Sequence, residues 1–171
     1  MQPRMRYAEV APGAVQAMRQ LDSYVRQSGL EPSLIELVKI RASQINGCAY
    51  CIDMHTKDAR AIGETEQRIY MLSVWREAPH LYTERERAAM EWTEAVTLVA
   101  DGHVPDDVYE RVLQHFDEAE LVNLTMAVIA INGWNRIAIS FRPVPGSYQP
   151  AKRSQDGPET SHATAEARVS Q

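Results

Sequence analysis

Apolar residues recur every three to four positions along most of the chain, in blocks separated by glycine, proline or a polar capping pair. No block alternates with the period of two that a half-buried strand requires. The pattern predicts helices from about Gly13 to Ser28, closed by Gly29; from Pro32 to Ile45; from Cys48 to Ile62, closed by Gly63; and from about Thr65 to Trp75, before Pro79 breaks the chain. Thr83-Glu-Arg-Glu86 reads as a capping box that opens a helix to Ala100, ended by Asp101-Gly102, and a short helix runs from about Pro105 to Phe116. Asp117 with Glu120 caps the last and most apolar helix, with its core run from Leu121 to Ile139. From Pro143 onward proline, glycine, serine, glutamine and charges replace the apolar residues. Such a segment is disordered, or is an arm held by another subunit. The expected architecture is therefore all-α: a single-domain helical core over residues 1–142 and an extended or disordered tail over 143–171.

A chain of 171 residues suits one domain with a tail and is long enough for a real core. The formal net charge of −5 has both signs interspersed, and no long basic run appears, so nucleic acid is not an expected partner. The sequence shows no apolar stretch of membrane-spanning length, and Met1-Gln-Pro-Arg-Met-Arg-Tyr lacks the apolar core of a signal peptide. A cytoplasmic protein with no membrane partner is expected. Helices apolar on more than one face, notably Leu34 to Ile45 and Leu121 to Ile139, predict a homo-oligomer.

The two cysteines, Cys48 and Cys51, form the only Cys-x-x-Cys in the chain. With no other thiol to build a framework, the pair reads as a redox dithiol or as part of a metal site. On a helix turning about 100° per residue, His55 falls about 40° around from Cys51 and about 20° from Cys48, so the three share a stripe. Asn46-Gly47 breaks the preceding helix and makes the cysteines open a new one. If the two helices run back antiparallel, Glu36 and His55 differ by only about 4.5 Å of axial rise, within side-chain reach. Lowering a thiol from its usual pKa of about 8.5 by about two units needs roughly 2.7 kcal/mol of preference for the thiolate. A helix N-terminus typically supplies about 0.3–1 kcal/mol, so a histidine backed by a carboxylate is the natural supplement. The neighbouring cysteine is close enough to trap a sulfenic acid as a disulfide. Competing readings are two small buried hydrophobes, or a zinc site drawing on Cys48, Cys51, His55 and Glu36, although three ligands on one helix strain a tetrahedron. A non-catalytic oligomer with a redox- or zinc-responsive dithiol, or a general disulfide oxidoreductase, is the alternative function.

The segment Glu36-Leu-Val-Lys-Ile-Arg-Ala-Ser-Gln-Ile-Asn-Gly-Cys48-Ala-Tyr-Cys51-Ile-Asp-Met-His55, with Asn132-Gly-Trp134-Asn135-Arg136 downstream, resembles the AhpD-like alkylhydroperoxidases of the carboxymuconolactone decarboxylase superfamily. The resemblance runs from about Pro32 to Phe141. It implies an all-helical, trimeric or hexameric peroxidase core. In it the second cysteine, Cys51, becomes the sulfenic acid, the first, Cys48, resolves it, and Glu36 with His55 relays protons. The implied partners are a peroxide substrate and a dithiol or protein reductant, with no cofactor beyond the redox-active Cys48–Cys51 disulfide. Some members carry a histidine between the cysteines where this chain has Tyr50, and the relay is shorter here. Members that decarboxylate lactones lack the cysteine pair, so that activity is not implied.

Other residues have plainer expected roles. Tyr50 packs at the mouth of the site, and Trp134 and Met126 belong to the core. Asn135 and Arg136 make capping or intersubunit hydrogen bonds. Glu36 alone would form a surface i,i+3 pair with Lys39. His80, His103, His115 and His162 have no ligand spacing and are expected at the surface.

Overall fold

The computed structural model of the chain describes residues 2–150. These form nine α-helices and two 3-10 segments, with no strand among the described residues: α1 Tyr7–Val10, α2 Pro12–Arg26, α3 Pro32–Asn46, α4 Ala49–Ala61, α5 Glu66–Met71, 3-10 turns at Leu72–Glu77 and Pro79–Leu81, α6 Glu84–Thr97, α7 Val99–Gly102, α8 Asp106–Val112 and α9 Glu118–Phe141. The expected helices are present with edges moved by local chemistry. The helix expected over Thr65 to Trp75 gives way at Leu72 to a 3-10 turn in which Val74 leaves helical dihedrals. The helix expected to reach Ala100 breaks at Leu98, and Val99–Gly102 forms a separate turn. Pro12 and Pro32 stand at the first turn of α2 and α3, where a missing N–H costs nothing. The capping boxes of Thr83 with Glu86 and of Asp117 with Glu120 both form.

α3 lies at the centre and packs against α4, α6 and α9. It is buried nearly all round, which its sequence already requires: Leu34, Leu37, Val38 and Ile40 cover more than one face. Polar residues fill the rest of its buried surface, namely Glu36, Lys39 and Ser43. α9 has an 18-residue window of mean hydropathy 1.2 and is long and apolar enough to cross a membrane by length and composition, which corrects the expectation that no stretch of that length exists. Its contacts with α2, α3, α4 and α6 give that apolar content a partner inside the fold. Where α2 and α9 cross, Gly133 leaves room for Met18; a Cβ there would come within 2.7 Å of its Cε.

Residues 143–150 do not wait for another subunit. They run back over α4 of their own chain, where the Lys57 ammonium donates to the Tyr148 carbonyl at 3.0 Å and the Gly146 N–H donates to Asp53 at 2.9 Å. The expected tail is thus ordered at its start by hydrogen bonds, not by apolar burial; its remainder, with His162, lies outside the described residues.

Candidate active site

The turn between α3 and α4 builds the site. Gly47 adopts φ 66°, a left-handed conformation that costs glycine nothing, and it closes α3 with a hydrogen bond to Gln44 at 3.2 Å while the Cys48 N–H reaches Ser43 at 2.9 Å. Cys48 is then the N-cap residue of α4, its carbonyl accepting from Ile52 at 2.9 Å. Cys48 and Cys51 are joined as a disulfide with Cα atoms 5.4 Å apart, buried among Ala42, Ile131 and Ala138 of α3 and α9. The turn is pinned from α9. Asn46 donates to Asn132 at 2.9 Å and to Asn135 at 2.8 Å, and Asn135, with no exposed surface, donates to Ser43 at 3.0 Å. The polar residues of α9 therefore bind within the chain, and Arg136 does the same by donating to the Asn132 carbonyl at 3.0 Å.

Cys51, His55 and Asp58 follow one another at single-turn spacing on α4 and line one cavity of about 360 Å³. Tyr50, Met54 and Trp134 supply its apolar wall, and Trp134, half-buried, also packs against the core cluster around the disulfide. Glu36 is 4% exposed and His55 2%, and His55 Nδ1 stands 2.7 Å from Glu36 Oε2. An ionised carboxylate only accepts, so the ring proton sits on Nδ1 and a neutral imidazole keeps its lone pair on Nε2. That Nε2 is the one buried side-chain polar atom with no hydrogen-bond partner among the described residues. A native fold rarely leaves such an atom idle.

Behind this pair runs a chain of alternating charges. Lys39 is fully buried, not at the surface with Glu36, and donates to Asp22 Oδ1 at 2.5 Å. Arg26 donates to Asp22 Oδ2 at 3.1 Å and stands 4.0 Å from Glu36 Oε1. Burial alone would raise the Asp22 pKa, but the Lys39 and Arg26 cations outweigh it and hold it below the ordinary carboxylate value. Arg26 answers in kind: burial would lower it, and Asp22 with Glu36 raises it above the usual guanidinium value. The two carboxylates thus hold Arg26 at the cavity wall.

Residues 143–150 complete the cavity. Tyr148 lines it and donates its hydroxyl to Asp58 Oδ1 at 2.7 Å; burial first, then this hydrogen bond, pushes its pKa well above the ordinary phenol value. The structure places Cys48, Cys51, His55 and Glu36 at one turn, as the sequence spacing predicts, and adds Asp22, Arg26, Asp58 and Tyr148, which the sequence reading did not name. Asp58 had a visible signal, its place three residues past His55; Arg26 and Tyr148 had none, because only the crossing of α2 and the return of the tail place them here. His80 and His103 are exposed and His115 half-buried, all away from the cavity. The four-ligand zinc set does not form. The cysteines are joined to each other, and the ligand atoms that converge within 4.8 Å among the described residues are those of Glu36, His55 and Asp58; Glu36 is bonded to His55 Nδ1 and Asp58 to Tyr148, while His55 Nε2 has no partner.

Comparison with known proteins agrees with this geometry. Residues 12–95 match the model of the carboxymuconolactone decarboxylase family. The uncharacterized protein YdfG of Bacillus subtilis (strain 168) is 48% identical over 141 residues, which are 82% of this chain and 95% of that one. A crystal structure of a protein of unknown function from Agrobacterium tumefaciens, described as a candidate AhpD antioxidant defence protein, superposes with a TM-score of 0.81 at 48% identity, covering 88% of this chain and 100% of that one. An uncharacterized peroxidase-related protein from Ralstonia eutropha JMP134 with an alkylhydroperoxidase AhpD core shares the fold, with a TM-score of 0.72 at 17% identity over 82% of this chain and 74% of that one. With its all-helical fold and its Cys48–Cys51 disulfide, the chain belongs to the AhpD-like carboxymuconolactone decarboxylase family.

Proposed function

We propose that the protein is a thiol-dependent peroxidase that reduces hydrogen peroxide or organic peroxides through Cys51 and Cys48, with His55 and Glu36 as the proton relay. The observation that carries this reading is the unpartnered, buried Nε2 of His55, on an imidazole fixed by Glu36 and lining the same cavity as Cys51. In the dithiol form Nε2 takes the Cys51 proton, and the imidazolium then stabilises the thiolate. Cys51 Sγ attacks one peroxide oxygen, the O–O bond breaks, and the departing alkoxide collects the proton from His55. The products are a Cys51 sulfenic acid and an alcohol, or water when hydrogen peroxide is the substrate and hydroxide departs. Cys48 Sγ next attacks the sulfenic sulfur and expels hydroxide, which takes the Cys48 proton and leaves as water. That step yields a Cys48–Cys51 bond, the pairing the structure contains, which supports the reading. A dithiol reductant returns both thiols.

The test is peroxide consumption in the presence of a dithiol. Cys51→Ser abolishes it and leaves no sulfenic acid, whereas Cys48→Ser retains a sulfenic acid at Cys51 that a carbon nucleophile traps; the reverse labelling pattern sinks the assignment. The proposed enzyme acts in the cytoplasm as a homo-oligomer, a trimer or hexamer, supported by exposed Val122 and Ile129 on α9. Scattering that gave a 19.3 kDa monomer would remove the assembly from the proposal without touching the chemistry.

A further inference from the structure

The two sulfurs of the disulfide face different hollows. Cys51 lines the 360 Å³ cavity with His55, and Cys48 does not. Cys48 lines a second hollow of about 290 Å³ with Gly47, Ala49, Ile139, Arg142 and Pro145, to which neither Cys51 nor His55 contributes. Tyr50 and Ala138 belong to both. The wall between the two hollows is therefore Tyr50, one of the two residues between the cysteines, together with Ala138 of α9.

The geometry points to separate entrances for the two half-reactions: peroxide meets Cys51 in the first cavity, and a compact dithiol reductant attacks Cys48 Sγ from the second. This inference rests on the redox reading of the pair given above. Exchange requires the attacking thiolate to bond to one sulfur while the electron pair of the broken S–S bond leaves on the other, and it goes faster when the leaving thiolate is the better stabilised. Attack on Cys48 releases the Cys51 thiolate beside His55. Attack on Cys51 would release the Cys48 thiolate, which lines the second hollow and not the cavity that holds His55. After the first step the reductant is bonded to Cys48; its second thiol then attacks its own sulfur in that mixed disulfide and expels Cys48. The reductant leaves as an intramolecular disulfide, two electrons have passed to the protein, and the two protons of the dithiol end on Cys48 and Cys51. A hollow of about 290 Å³ falls just below the roughly 300–1,000 Å³ that small-molecule sites occupy, so it takes a compact dithiol and excludes a folded protein surface. Ile139 and Pro145 give it an apolar lining and Arg142 one cationic donor.

The deciding experiment uses the oxidised full chain and no peroxide. Brief exposure to 2-mercaptoethanol followed by acid quenching and peptide mass spectrometry places the mixed disulfide on Cys48; an adduct on Cys51 overturns the inference. A second measurement reads the two half-reactions of Ile139→Trp, which narrows the second hollow from a half-exposed position. Reduction by dithiothreitol slows about tenfold or more, well beyond any change in the reaction of the prereduced variant with peroxide. Equal slowing of both steps means one shared entrance and refutes the proposal. A protein inert to peroxide would defeat the peroxidase reading, yet the position of the thiol adduct would still decide this one.

Discussion

Two polar networks lie partly inside this fold, and they are finished to different degrees. Around Arg68 every group is matched: the guanidinium donates to Glu64 at 2.8 Å and to Glu86 at 2.5 Å, reaches the Leu81 carbonyl, and lies 4.9 Å over the ring of Tyr82, whose hydroxyl donates to the Arg68 carbonyl. Around His55 one atom is left over, Nε2, in a cavity that also holds a disulfide sulfur. A fully matched network fixes structure, because removing any member strands the others in a poor solvent for charge. A network with an unfilled position, held rigid by its other members, is prepared to receive something. On the proposed function, the difference separates the part of the molecule that holds from the part that reacts.

The strongest way to break this contrast is to exchange the expected phenotypes. His55→Ala lowers the rate of Cys51 oxidation by peroxide about 10²–10⁴-fold, the usual worth of a positioned acid–base group, and raises the apparent thiol pKa read by alkylation against pH. Glu36→Gln does the same to a smaller extent, and the double variant loses less than the product of the two because Glu36 acts through His55. Fully multiplicative losses would mean that the 2.7 Å contact between them has no part in catalysis. Arg68→Ala is the mirror image. It leaves two partly buried glutamates without their cation; with the Arg68 side chain 22% exposed, solvent screening holds the expected loss to about 2 kcal/mol, or about 4–8 °C in Tm. Its peroxide reaction stays at the wild-type rate. A melting temperature that does not move, read by calorimetry, would show that matching alone does not make a network structural.

The same contrast explains what was legible in the sequence. Helical periodicity, Gly47, Pro32 and the two capping boxes are local signals, and the helices they predict are present. The Glu36, Cys48, Cys51 and His55 set was legible because one turn brings its members together across nineteen residues at most. Arg26 and Asp22 come from α2, and Lys39 was read as a surface partner of Glu36, because a lysine in a helix with glutamate three residues before it carries no mark of being buried. Tyr148 was assigned to a tail judged on composition. Composition weighs apolar burial, and this segment is held instead by hydrogen bonds to Asp53, Lys57 and Asp58.

Acid titration sharpens the contrast from the structural side. In Glu86, burial would raise the carboxyl pKa, and the Arg68 hydrogen bonds overcome this to leave it below its ordinary 4.5. A carboxyl whose folded pKa is depressed adds stability above its unfolded pKa and loses it as the pH falls through the folded value. Urea midpoints should therefore be level near neutrality and fall as the pH drops below about 4.5, with Asp22 and Glu94, both also lowered, adding to the slope. In Arg68→Ala the share due to Glu86 disappears and the acid limb is shallower. An unchanged limb in the variant would place the acid sensitivity elsewhere.

The smallest expected effect belongs to the one residue that joins the reacting region to the tail. The Tyr148 hydroxyl makes a single hydrogen bond, to Asp58 at 2.7 Å, and the residue is also tied down through its carbonyl to Lys57 at 3.0 Å. Tyr148→Phe keeps the ring against the cavity and the backbone contact, so it removes about 1 kcal/mol, the net worth of one hydrogen bond, and about 2–4 °C in Tm. Asp58 stands a turn beyond His55 and is not the group that fixes the imidazole; Glu36 does that. The rate of Cys51 with peroxide should accordingly change by less than about threefold, with the thiol pKa in place. A thiol pKa moved by as much as His55→Ala moves it would make Asp58 and Tyr148 part of the proton relay, and the reacting network would then run from α3 through α4 into the tail.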